Sequence, residues 1–229
     1  PCAFYQTGTR IKGNIVKHHW HEEVELLYFS GGEFCLEVNM ERFHISEECF
    51  YFINPGELHS INVEKNGGCV ENAVVFHMDM LNSSYSLDQI QTNLIQPVQN
   101  GSIQFPRCLR KDEPAFEQVR TAYEEIQNAF SGSAYRGDYY DGEAVTDDIT
   151  RQLFIKSALL RILAVLSANN LFEVTEKNHD RWIETIKTTL TYIQENYKEK
   201  IYIRDLAGLI GMNEQYFCRF FKKVIGRSP

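Results

Sequence analysis

Residues 18–25 read HHWHEEVE. In an extended strand alternate side chains share a face, so His19, His21 and Glu25 can converge while Val24, Leu26 and Tyr28 point the other way. Further on, NPGELH puts His59 just after a Pro-Gly turn. Three imidazoles and a carboxylate are the nitrogen and oxygen donors that divalent transition metals take. The same four groups could instead hydrogen-bond a small effector without metal, or simply serve turns and buried hydrogen bonds. Residue type alone leaves these three readings open. His18 is adjacent but of opposite parity, and His44, His77 and His179 are isolated, as surface or hydrogen-bonded core histidines usually are.

A second stretch with chemical content starts at Arg204: RDLAGLIGMNEQYFCRFFKKVIG. Leu206, Ala207 and Ile210 form one short apolar stripe, and Gly211 breaks it. Asn213 is a good N-cap for a second helix whose buried face is Phe217, Phe220, Phe221 and Val224, with Gly226 as its stop. Two short helices joined by a turn of three or four residues containing glycine is the helix-turn-helix pattern. Gln215, Cys218, Arg219 and Lys222 fall on the opposite face, where amide and guanidinium groups can bond base edges; Lys222 and Lys223 are available to phosphates. An ordinary amphipathic helix with a solvated basic face fits the spacing equally well.

The elements that must position these residues change character along the chain. Residues 15–77 read as short strands: VELLYF and FCLEVN flank Gly31-Gly32, and FHI, CFYFIN and NAVVFH follow with turn signals between them. Past Pro106 the apolar period becomes helical, first over 114–130 and then over 147–168, the latter opened by Asp147 or Asp148 as a cap. This second helix is apolar almost all round, so it needs two partners: the strands, and either the helix at 114–130 or another copy of the chain. Residues 131–148 read as a loop and 169–180 as an irregular linker.

Bulk properties limit the function classes. The 229 residues carry a net charge of −8, but residues 181–229 hold nine basic and five acidic side chains, a balance of +4, against −12 for the rest. A polyanionic partner would therefore meet the tail. No apolar run approaches the roughly 18–20 residues of a membrane span, and the first residues lack a signal-peptide pattern. The six cysteines include no CxxC pair and fit reduced cytoplasmic thiols. No nucleophile triad or phosphate loop is apparent.

Residues 183–229 resemble the first DNA-binding subdomain of AraC-type transcription regulators. The features that carry the likeness are DLA at Asp205–Ala207, Gly211, the cap at Asn213, RFFKKVIG at Arg219–Gly226 and the following Ser228-Pro229. The resemblance implies that Asn213, Gln215, Tyr216, Cys218, Arg219, Lys222 and Lys223 belong to the DNA-contacting set, with Arg219, Gln215 and Cys218 on the base-reading surface. Cys218 departs from the pattern, since a thiol reads bases poorly. The family carries two such subdomains; with one recognition helix, the chain is expected to bind its operator weakly and to continue past Pro229.

The spacing His-x-His-x3-Glu-x6-Gly from His19 to Gly32, followed by Pro-Gly-x2-His from Pro55 to His59, resembles the two cupin motifs. It implies that His19, His21, Glu25 and His59 form a metal or effector pocket, with Ni, Zn, Fe or Mn as candidate ions. The expected fold is mixed and multidomain: an N-terminal all-β cupin barrel of jelly-roll type over 1–106, a helical dimerisation region over 107–172, a linker over 173–182 and an all-α helix-turn-helix subdomain over 183–229. Leu159, Ile162 and Leu166 are the residues expected at a homodimer interface. The function implied is a bacterial, cytoplasmic, ligand-responsive regulator that binds DNA and senses a small molecule, a sugar being one class. The alternative is a metal-dependent cupin enzyme, an isomerase or dioxygenase.

Overall fold

A computed structural model describes residues 2–9, 12–65, 69–85, 88–130, 148–175, 181–226 and 228–229. The chain divides into two compact units, residues 1–177 apart from the 39–41 turn, and residues 178–229. Among the described residues no helix is long and apolar enough to cross a membrane.

The first unit is built on two antiparallel sheets. Its strands are β1 (Cys2–Thr9), β2 (Gly13–His19), β3 (Val24–Gly31), β4 (Phe34–Val38), β5 (Glu41–Ile45), β6 (Cys49–Ile53), β7 (His59–Val63) and β8 (Cys69–Phe76), with β9 (Ile103–Gln104), β10 (Cys108–Arg110) and β11 (Glu173–Val174) added later in the chain. One sheet has the order β1-β8-β3-β6-β10 and the other β2-β7-β4-β5. Their facing sides bury Leu27, Phe29, Tyr51, Ile53 and Ala73 against Ile15, Phe34, Leu36, Val38, Ile61 and Val63, which is the barrel interior. Alternation does the sorting: on β3, Leu27 and Phe29 face that interior, while Val24 and Leu26 face away.

The outer side of the five-stranded sheet carries the helices. After a short α1 (Gln96–Gln99), α2 (Phe116–Phe130) buries Phe116, Val119, Ala122, Tyr123, Ile126 and Phe130 in one cluster with Phe4, Val24, Leu26, Phe50 and Val74. The Phe116 and Tyr123 rings lie 5.3 and 5.4 Å from Phe50. α3 (Ile149–Ala168) starts where the Asp148 side chain accepts from the Thr150 and Arg151 backbone amides, and it packs on α2. Helices and barrel thus share a core, and α2 and α3 are a layer of the first unit rather than a separate region.

Two expectations change here. Leu159, Ile162 and Leu166 are buried in that shared core, at 1%, 2% and 0% exposure, and are unavailable to a second chain. The exposed apolar positions of α3 are Ile149, Leu153, Phe154 and Leu160. An all-round apolar helix has no moment to mark which side its own chain will cover. Second, the segment read as linker begins with structure: Glu173 and Val174 pair with Gln104 and Ile103, and Thr175 N donates to Ser102 O at 3.1 Å. A two-residue strand is too short to show a period. The expected loop at 131–148 lies outside the described residues, apart from Asp148.

The second unit consists of α4 (Arg181–Asn196), α5 (Ile203–Leu209) and α6 (Glu214–Ile225). Ile183 and Ile186 of α4, Leu206 and Ala207 of α5, and Phe217, Phe220, Phe221, Val224 and Ile225 of α6 are its buried apolar residues among those described. Gly211 at φ 67° and Gly226 at φ 80° take the left-handed conformation that turns the chain after α5 and stops α6.

Candidate functional site

The four pocket residues converge. His19 ends β2 and pairs in register with His59, the first residue of β7. Glu25 sits on β3 with its side chain toward the barrel interior. His21 lies in the turn between β2 and β3 rather than in a strand, so its placement comes from the turn and not from parity. The Pro55-Gly56 turn locks the two halves together: Gly56, at φ 77°, donates its amide to His21 O at 2.8 Å. One ligand atom from each of the four residues lies within 4.8 Å of every other.

The imidazoles share one orientation. Nδ1 of His19, His21 and His59 lies 2.9, 3.1 and 2.9 Å from the carbonyl oxygens of Lys17, Glu23 and Glu57. A carbonyl only accepts, so in the neutral ring each Nδ1 carries the proton and each Nε2 is left with its lone pair. Oε2 of Glu25 is 2.9 Å from His59 Nε2 and 3.4 Å from His21 Nε2. His59 and Glu25 are buried, and His59 Nε2 makes no aligned hydrogen bond. The carboxylate among these rings calls for a positive partner, which a proton on an imidazole or a bound cation would supply. Backbone carbonyls that fix the tautomer of ligating histidines are the usual outer support of a metal site. The residues present therefore fit a divalent ion with three imidazoles and one carboxylate, a donor set suited to Zn, Ni, Fe or Mn.

Burial works against the charged form of Glu25, but the His21 and His59 imidazoles outweigh it and hold its carboxyl well below the usual range. Burial, helped by the neighbouring His59, draws His19 down to about 4, so it stays neutral and able to donate a lone pair. At His21 burial is overcome by the Glu25 carboxylate, which raises the imidazole.

Support for the pocket comes from residues that the sequence reading passed over. Glu57 accepts from the Asn54 amide at 2.7 Å and pairs in a two-pronged way with Arg107, whose Nη1 also donates to Phe52 O. The Asn54 side chain exchanges two hydrogen bonds with the Phe105 backbone. The loop that presents His59 is thereby fastened to a segment some 50 residues away. Only the polar residues around Pro55-Gly56 hint at it. His18 bonds Glu37 at 3.0 Å, and His44 pairs with Glu64 at 2.6 Å, so neither joins the cluster. His77 accepts from the Asp79 amide, and His179 lies outside the described residues.

In the second unit, Asn213 Oδ1 accepts from Tyr216 N at 2.9 Å, which is the N-cap expected of it. Gln215, Tyr216, Arg219, Lys222 and Lys223 are exposed on α6, and Cys218 is half-buried. The Tyr216 ring stands 6.5 Å from that of Trp182, so it doubles as part of the α4–α6 packing.

Residues 7–148 match the AraC-like ligand binding domain. The chain belongs to the AraC family. A relative in Bacillus subtilis (strain 168), the uncharacterized HTH-type transcriptional regulator YdeC, is 24% identical over 243 residues, covering 100% of this chain and 73% of its own. Among solved structures, ToxT from Vibrio cholerae is 9% identical over 100% of this chain and 96% of its own, with a TM-score of 0.43. A predicted oxalate decarboxylase from Thermotoga maritima is 25% identical over 32% of this chain and 64% of its own, with a TM-score of 0.31. The histidine cluster lies inside the matched range, and α5 and α6 lie beyond it.

Proposed function

We propose that this AraC-family chain is a ligand-responsive transcriptional regulator rather than an enzyme. The observation that carries the reading is the pairing of a convergent His19–His21–Glu25–His59 pocket in the ligand-binding domain with an exposed, basic face on α6. Arg219 and Gln215 read base edges, and Lys222 and Lys223 meet phosphates. The protein works on DNA in the cytoplasm of a bacterial cell.

Three finer points belong to the same reading. The pocket holds one divalent metal ion, which when bound supplies a Lewis-acidic centre for oxygen donors of the effector, a small polar molecule such as a sugar. The four side chains would bind and orient that ion. The active species is a homodimer joined through Ile149, Leu153, Phe154 and Leu160, which lie exposed on α3. Effector binding alters DNA occupancy only insofar as it favours one arrangement of the dimer over another.

The test is DNA binding measured against salt concentration, with and without added metal and candidate effectors. A regulator shows an affinity that falls with salt as counterions are released, and one effector class shifts it. A slope near zero on log–log axes counts against phosphate contacts and sinks the proposal.

A further inference from the structure

The loop that presents His59 is fastened on two sides. Toward the pocket, Glu57 O lies 2.9 Å from His59 Nδ1, and Gly56 N donates to His21 O at 2.8 Å. On its other side the buried Asn54 side chain accepts from Phe105 N at 2.8 Å and donates to Phe105 O at 3.4 Å. Phe105 is itself buried and stacked on Phe52, and its ring meets that of Phe172 edge-on at 5.3 Å. Phe172 directly precedes β11, and β11 pairs with β9, the two residues just before Phe105, as a ribbon apart from both barrel sheets. Thr175 completes the ribbon, its amide donating to Ser102 O at 3.1 Å and its hydroxyl to Gly101 O at 2.7 Å. The second unit begins at residue 178, so the ribbon holds the chain just before it enters that unit.

The ribbon is the weak member of this series. Each side contributes two paired residues, Glu173 and Val174 are exposed, and a two-stranded ribbon alone is only marginally stable in water. It opens more readily than the sheets and lies at the low end of local stability. Phe172, half-buried against the Phe105 ring, seats it on the shared core. Phe105 keeps its place through Asn54, whose own amide donates to Glu57 Oε2 at 2.7 Å. An ion held by His21 and His59 favours the seated loop, because a displaced loop withdraws the carbonyl that orients His59. Such a difference in affinity between two arrangements is what lets a ligand shift an equilibrium.

We propose, on the metal-binding reading of the pocket, that Asn54, Phe105 and Phe172 form a relay through which a divalent cation at the histidines closes the β9–β11 ribbon. All three are positioning residues, and none belongs to the cluster of four donors. With the pocket occupied, the 54–59 loop is seated, Phe105 is held, Phe172 packs on it and the ribbon stays shut. The chain then leaves the first unit from a fixed point at Thr175. With the pocket empty the ribbon opens more often, and that point slips back toward the end of α3.

Amide hydrogen exchange of the full, metal-stripped chain is followed by mass spectrometry with and without Ni(II), and calorimetry on the same samples reports Ni(II) binding. Ni(II) is expected to slow exchange in peptides covering 102–104 and 173–175 by at least ~5-fold, and by more than in β5, the reference for general stabilisation. Phe172→Ala truncates a half-buried side chain, so the fold survives; its ribbon exchanges fast with or without Ni(II). Its Ni(II) affinity falls by no more than the factor lost in exchange, as reciprocal linkage requires. Ni(II) binding that leaves wild-type ribbon exchange unchanged, or slows it no more than β5, overturns the relay and leaves the metal site standing. A Phe172→Ala ribbon that responds like the wild type also overturns it. No Ni(II) binding to the wild type removes the metal site and the relay together.

Discussion

Nε2 of His59 stands 2.9 Å from Oε2 of Glu25, both groups buried, with the opposite edge of the imidazole tied to Glu57 O. A buried carboxylate this close to an imidazole nitrogen needs positive charge beside it, either a proton on the ring or a bound cation. That relationship makes the pocket sensitive to cations in a way its residue types alone do not.

The chain is expected to bind one divalent ion and to be stabilised by it. At a free metal concentration 100 times Kd the gain is about 2.7 kcal/mol, visible as a raised Tm when Ni or Zn is added. His59→Ala removes most of the affinity. Glu25→Gln weakens the ion and also destabilises the metal-free protein at neutral pH, because the His21 and His59 imidazoles hold the buried carboxylate in its charged form. Isothermal titration calorimetry on metal-stripped protein decides it; unaltered affinity in both variants rules the four-residue site out.

Arg107→Gln strips a buried carboxylate of its guanidinium. Glu57 is then left buried and only partly compensated, at a cost of about 3 kcal/mol. Denaturant unfolding should register that loss. Metal affinity falls as well, because the Glu57 backbone carbonyl orients His59. Stability and affinity both unchanged would show the clamp to be idle.

On α3 the two faces are expected to behave oppositely. Leu153→Glu and Leu160→Glu convert a dimer to monomers that keep the wild-type circular dichroism spectrum. Leu159→Glu buries a charge in the helix–barrel core and yields little folded protein. Sedimentation velocity separates the cases, and a monomeric wild type at all concentrations discards the dimer.

In the second unit, Asn213→Ala loses the N-cap and about 1 kcal/mol, whereas Asn213→Ser keeps both. Lys222→Ala lowers the slope of log K on log salt by about 0.9 if the lysine neutralises one phosphate, and does so equally for all DNA sequences. Arg219→Ala changes the preference among sequences instead. Titrating each variant against specific and random DNA distinguishes these roles.

Glu48 gives the acid limb of stability. Lys111 and the Tyr28 hydroxyl, with Arg120 nearby, hold its carboxyl below the ordinary value. A depressed folded-state pKa contributes stability that is complete above about pH 4.3, the unfolded value, and is lost as pH falls through the lower folded one. Glu48→Gln should therefore cost about 0.5–1 kcal/mol at neutral pH, since the group is partly solvated, and nothing near pH 2. A difference that grows toward acid would refute this account.

Much of the pocket was legible beforehand. HHWHEEVE and PGELH contain the four residues that the structure brings together, although residue type alone leaves a metal site, an effector pocket and buried hydrogen bonds open. The strand-parity argument reached the right residues by an incomplete route, since His21 sits in a turn held by the Gly56 amide. The outward side of β3 was predicted correctly, Val24 and Leu26 facing the helices, because alternation is local. The dimer residues were not. Leu159, Ile162 and Leu166 look no different in sequence from Leu153 and Leu160 on an all-round apolar helix. β1, β10 and β11 were passed over for a related reason, as each owes its existence to a partner far away in the chain.

The sequence by itself singled out the four residues that cluster, the cap at Asn213, the glycine stops and the alternation that sorts barrel interior from helix layer. Each depends on a residue and its neighbours within a few positions. Only the tertiary structure decided that Nε2 of His21 and His59 meets the Glu25 carboxylate beside His19, that Arg107 holds the His59 loop, and which side of α3 stays bare. These depend on register between distant strands and on which surface the chain covers first. Strand register and layer packing are set by non-local contacts, and no local pattern encodes them.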